Sequence, residues 1–140
     1  MSYIFSSLDV PTIVKSIHLW VQMLSSRNYI QASDFLYDAS KMGGLCWSAE
    51  TITDALGLYS RQYREAPIES KINYVPIVTV PILSMLKDEN RVIFTKTSRG
   101  LLYIDYDLPI NNAWSDLTAS FIVHAVPTGF CLELVDIHAL

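Results

Sequence analysis

Cysteine is scarce in this chain, which has only Cys46 and Cys131 among its 140 residues. Two such distant thiols exclude a disulfide framework and a zinc-binding pattern, and both read as small buried hydrophobes. Long apolar runs are missing too; none approaches the ~20 residues of a membrane-spanning helix. The stretch from Met1 to Asp9 has neither a basic nor a continuous apolar segment, so a secretory leader is not expected and the chain reads as cytoplasmic, with no membrane association. Cationic charge is thin and scattered, ten Lys and Arg against fourteen Asp and Glu, for a formal charge of -4. Nucleic acid is disfavoured as a partner, because phosphate contacts need clustered basic side chains. Signatures of chemistry are also absent: there is no Gly-x-Ser-x-Gly elbow, and Gly43-Gly44 lacks the strand and the Gly-Lys-Ser/Thr of a phosphate loop. No cofactor and no metal site are expected.

What the chain has in quantity is apolar surface, 51% of residues against 17% charged, with a mean hydropathy of +0.27. This is the upper edge for a globular protein, and it predicts that some apolar surface is buried between chains, as in a homodimer. The length suits a single domain over residues 1–140 with one core.

The helical half is expected over about 9–63. Asp9 followed by Pro11 is a start signal: the carboxylate accepts from free first-turn amides, and Pro is tolerated where its missing donor has no partner. Val10, Ile13, Val14, Ile17, Trp20, Val21 and Leu24 then recur at helical spacing. His18 lies between stripe and flank. Ser25–Asn28 breaks the pattern, and Tyr29, Ala32, Phe35 and Leu36 mark a shorter second helix. Gly43-Gly44 suits a left-handed cap, and Ser48 with Glu50 starts a third helix whose stripe is Ile52, Ala55, Leu56 and Tyr59.

The sheet half is expected over about 72–140. Tyr74–Leu86 is apolar on both strand faces but carries Pro76 and Pro81, which points to an edge or bulged strand. Lys87–Asn90 and Thr97–Gly100 are turns flanking a short strand from Arg91 to Lys96. In Leu101–Leu108, Leu102, Ile104, Tyr106 and Leu108 share one face and Tyr103, Asp105 and Asp107 the other; the two aspartates read as solvated edge charges. Pro127-Thr128-Gly129 then joins two long strands in a hairpin. A three-residue loop sets Val126 opposite Phe130, Ile122 opposite Leu134, Ser120 opposite Asp136 and Thr118 opposite His138. In that register Asp116, Thr118, Ser120, Asp136 and His138 share a face with Ile122, Phe130, Leu132 and Leu134.

Three helices followed by four or five antiparallel strands predict an α+β fold, the helices packed on one face of a curved sheet. This order resembles the nuclear-transport-factor-2-like (cystatin-like α+β) superfamily, a cone with an interior cavity. Trp114-Ser115-Asp116-Leu117-Thr118, Leu134-Val135-Asp136-Ile137-His138-Ala139-Leu140 and the upstream Trp20–Leu24 with Asn28-Tyr29 resemble a group of small bacterial domains that carry a Ser-Asp-Leu-Thr strand and end in Asp-Ile/Leu-His-Val-Leu. The resemblance implies a fold and no particular activity, since the superfamily holds isomerases, dehydratases, ligand-binding domains and adaptors.

Two readings of the polar cluster stand side by side. In one, Asp136 and His138 form an acid-base pair reaching into the cone, Asp116 orients the imidazole, and Thr118, Ser120, Trp114 and Tyr106 position a ligand. In the other, the same groups form a structural hydrogen-bond network at the strand ends. The balance favours a non-catalytic binding module, with a protein partner or a small apolar ligand. An immunity-type domain that masks a basic protein suits the acidic charge. The alternative is a small enzyme or ligand-binder using Asp136 and His138.

Overall fold

The computed structural model describes residues 2–40, 43, 46–63, 92–110 and 113–139. Within them the chain runs α1 (Val10–Ser25), α2 (Tyr29–Phe35), α3 (Ala49–Tyr63), β1 (Val92–Lys96), β2 (Leu102–Ile110), β3 (Ala113–Val126) and β4 (Gly129–Ala139). The strands form one antiparallel sheet in the order β1-β2-β3-β4, which makes the chain α+β. The strand expected over Tyr74–Leu86, with Pro76 and Pro81, and the turn at Lys87–Asn90 lie outside the described residues.

α1 and α3 start where their cap chemistry puts them, while Asn28 before α2 makes no side-chain cap bond. The Asp9 carboxylate takes the Ser7 hydroxyl and, at 2.8 Å, the Thr12 N–H. The Ser7 bond first, then the Thr12 amide, hold its carboxyl down at about 2, since both favour the charged form. α1 then buries Ile13, Ile17, Trp20, Val21 and Leu24, while Val10, expected on that stripe, is exposed. Ser48 Oγ accepts the Thr51 N–H at 3.2 Å at the start of α3, and Ile52 and Leu56 are buried behind it.

The core lies where α1 meets one face of the sheet. Ile104, Tyr106 and Leu108 of β2 are buried as alternation requires, and the register places Ile104 beside Phe121 and Tyr106 beside Ala119. Trp20 meets Phe121 edge-on, with centroids 5.3 Å apart, a geometry that adds about 0.5–1.5 kcal/mol to area burial. Its indole N–H donates to Ala32 O at 3.1 Å and so ties α1 to α2.

The hairpin departs from the expected register near its turn. Val126 faces Gly129 rather than Phe130, so the loop is the two residues Pro127-Thr128, and Ile122 faces Glu133 rather than Leu134. Farther out the expected pairs return: Ser120 faces Asp136 and Thr118 faces His138. The two halves are reconciled by a β-bulge, since Phe121 pairs Leu134 while Ser120 pairs Asp136, leaving Val135 as an extra residue on β4. That extra residue reverses the alternation of β4. Leu132 and Leu134 are core residues before the bulge and Ile137 is a core residue after it, which turns Glu133, Asp136 and His138 to the opposite face.

The other edge of β4 is occupied by earlier parts of the chain. Phe5 and Phe130 exchange backbone bonds of 2.9 and 2.8 Å, the Tyr37 N–H donates to Leu132 O at 2.7 Å, and Trp47 Nε1 donates to Leu134 O at 2.7 Å. Alternate carbonyls of an edge strand thus find donors instead of another chain's backbone. The contact at Phe5 is so close that a Cβ on Gly129, whose φ is +155°, would stand 2.5 Å from Phe5 O.

Candidate functional site

The face of the sheet opposite the core carries the polar side chains, arranged by register in two rows of three. Asp105, Ser120 and Asp136 make one row across β2, β3 and β4, and Asp107, Thr118 and His138 the next. Thr118 and Ser120 are buried, at 1% and 0% exposure, although polar. A buried hydroxyl needs an acceptor, and the carboxylates of β2 supply it. Ser120 Oγ donates to Asp105 Oδ1 at 2.6 Å and Thr118 Oγ1 donates to Asp107 Oδ1 at 2.9 Å. Asp105 and Asp107 are therefore half-buried acceptors, not the solvated edge charges the alternation implied.

The expected cluster is brought together in part. Thr118, Ser120, Asp136 and His138 do share a face, together with Ile122, but Phe130, Leu132 and Leu134 lie across the sheet from them. Asp136 and His138 thus flank Ile137 on the face opposite the one that packs on α1. His138 Nδ1 lies 3.3 Å from Asp136 Oδ2, with side chains 36% and 57% exposed. This nitrogen is shielded from solvent yet has no aligned hydrogen bond, and the other carboxylate oxygen accepts the Ile137 N–H at 2.9 Å. Tyr106 is separated from the cluster: it sits in the core with its ring 5.7 Å from that of His18, and burial pushes its hydroxyl well above the usual phenol range. Trp114 and Asp116 belong to β3, but their side chains lie outside the described residues.

A second histidine–carboxylate pair sits nearer the turn on the same face. His124 Nε2 and Glu133 Oε1 are 2.6 Å apart, each side chain only 16% exposed, and Tyr37 stacks on the imidazole at 4.1 Å and 16°. The register explains their meeting. His124 faces Cys131 and Ile122 faces Glu133, so His124 and Glu133 are diagonal neighbours, within reach for long side chains. The sequence carried this signal only for a two-residue loop; the three-residue loop moves Glu133 out of line. Cys131 is buried as expected, and burial raises its thiol, whereas Cys46 is exposed.

Two clefts lie beside α2. A cleft of about 320 Å³ opens beside the end of α2, with Asp34, Tyr37, Asp38, Cys46 and Trp47 among its lining. A second, of about 450 Å³, shares Ser2 and Asp34 with it and adds Tyr3, Ile4 and Met23. Neither is lined by Asp136 or His138. Among the described residues no group of three or more His, Cys, Asp or Glu is placed to hold a metal ion, and no helix is long and apolar enough to cross a membrane. Compared with family models, curated proteins and solved structures, the chain matches none.

Proposed function

We propose that this chain is a non-catalytic binding module, an immunity-type domain that holds a basic protein partner in the cytoplasm. One observation carries the reading: polar groups of the sheet face engage one another in pairs, Ser120 with Asp105, Thr118 with Asp107 and His124 with Glu133, while the concave surface beside α2 is acidic and aromatic. Carboxylates that accept from buried hydroxyls serve as structural acceptors, whereas aromatic side chains beside carboxylates are what a cationic surface seeks. The architecture proposed is the nuclear-transport-factor-2-like cone, with α1 laid against Tyr106 and Phe121 and the sheet bent at its bulges. A homodimer through the outer sheet face is part of the proposal; Ile93 of β1, 58% exposed in register with Asp105, is its apolar contribution.

Native mass spectrometry on protein gently purified from its own host tests this. The expected result is a stoichiometric protein partner of basic composition. A retained small molecule, or a homodimer carrying nothing, contradicts it.

A second reading draws on the exposed Asp136–His138 pair, whose 3.3 Å separation suits an acid-base couple acting on a ligand at the outer face. A retained small molecule lost on His138→Ala substitution supports that reading.

A further inference from the structure

The cleft beside α2 turns several of its side-chain donors inward and carries two aspartates on its lining. Ser33 Oγ donates to Ile30 O and Ser2 Oγ to Leu36 O, both at 2.9 Å, and Trp47 Nε1 donates to Leu134 O at 2.7 Å. Three side-chain donors of the lining are thus directed into the protein's own backbone. The carboxylates of Asp34 and Asp38 remain on exposed residues. Asp38 Oδ1 accepts the Ser40 N–H at 3.0 Å. Tyr37, one face of which stacks on His124, and Trp47 also line the cleft.

A ligand that complements acceptors and flat aromatic walls is a planar cation rich in donors. Guanidinium fits this description: it carries five N–H groups and no acceptor, and it stacks on aromatic faces, whereas an ammonium offers charge without a plane. The volume, about 320 Å³, is at the low end of the ~300–1,000 Å³ of small-molecule sites and suits one long side chain with the backbone that carries it. The path for that backbone continues, since Ser2 and Asp34 also line the adjoining cleft, which offers the apolar Ile4 and Met23.

We infer that this cleft takes the arginine side chain of an extended basic segment, with Asp34 meeting the charge and Tyr37 and Trp47 the guanidinium plane. The inference rests on the reading of the chain as a binding module and names the chemistry its partner presents.

Cys46 is a reporter built into the site: it is exposed and lines the cleft, while Cys131 is fully buried and serves as the unreactive reference. Iodoacetamide alkylation of Cys46, followed by mass spectrometry, should slow at least severalfold when Ac-Gly-Arg-Gly-NH2 is added at roughly 10 mM, above the ~1 mM dissociation constant of a weak single-residue contact. Asp34→Asn, a change on an exposed residue, should raise the peptide concentration for half-protection about tenfold, the size of one lost charged hydrogen bond. The citrulline peptide, similar in shape and uncharged, should not protect. An unchanged alkylation rate with the arginine peptide, or equal protection by the citrulline peptide, overturns the inference. Recovery of the native partner in equal yield by Asp34→Asn protein also overturns it while the binding-module reading survives. Arginine-specific protection without any partner in the host supports the cleft and removes the module reading instead.

Discussion

One hairpin carries two histidine–carboxylate pairs, and they are built differently. Near the turn, His124 and Glu133 meet at 2.6 Å, mostly shielded, with the Tyr37 ring stacked on the imidazole. Past the bulge, His138 and Asp136 lie 3.3 Å apart, more exposed and without an aligned hydrogen bond. The backbone around them differs in the same sense, because donors from Phe5, Tyr37 and Trp47 cover β4 from Phe130 to Leu134. A pair held at short distance in a shielded place gains from low local dielectric, while an exposed pair contributes ~0–1 kcal/mol at most. Nearness in sequence was therefore a poor guide: Asp136 and His138, two residues apart, make the looser pair, and His124 and Glu133, nine apart, the tighter one.

The strongest way to break the comparison is at the junction between the two halves. Phe121 is fully buried, pairs Leu134 beside the bulge and packs against Trp20. Phe121→Ala should cost about 3–5 kcal/mol, read as a fall in the denaturant midpoint, and it should loosen both ends of the hairpin together. Gly129→Ala acts on the turn end alone, because the added methyl meets Phe5 O and the Ile4 side chain. A loss of about 1–3 kcal/mol is expected, with faster amide exchange at Phe5 and unchanged exchange at Ile137. At the far end, Asp136→Asn and His138→Asn should each move stability by no more than ~0.5 kcal/mol in thermal melts.

His18 sharpens the contrast as a histidine held by burial instead of by a partner acid. Burial lowers its pKa, so the unfolded chain binds its proton more readily than the folded one. Its contribution is nil above the unfolded value of about 6.5. It turns destabilising as pH falls through that value and levels off below the lowered folded value. Stability measured from pH 7.5 downward should therefore decline less steeply in a His18→Gln variant than in the parent chain.

Local signals made much of this fold legible. The Asp9 cap with Pro11, the stripe from Ile13 to Leu24 and the Ser48 start are interactions between near neighbours, and they appear where expected. The alternation of β2 was readable for the same reason. Gly43 is left-handed as expected, with φ +78°, but it does not cap α2, which ends at Phe35 with the extended Leu36 as its C-cap. The bulge at Val135 was not. Leu134-Val135-Asp136 has no glycine or proline to mark it, and it arises where two strands with a tight turn must also bury Ile137. Uniform alternation therefore joined Thr118, Ser120, Asp136 and His138 correctly but placed them with Leu132 and Leu134, which lie on the other face. The cleft at α2 was equally hidden, because Tyr37 and Trp47 are brought together by bonds to β4, far away in sequence.

The most direct test is a pair of double-mutant cycles on the purified chain, His124→Ala with Glu133→Ala and His138→Ala with Asp136→Ala, scored by equilibrium denaturation. A coupling of about 1 kcal/mol or more between His124 and Glu133, against a few tenths or less between His138 and Asp136, is the predicted result. Equal couplings, or a larger one at the far end, would contradict the account: Asp136 and His138 would then be the built pair, and the search for function would return to them.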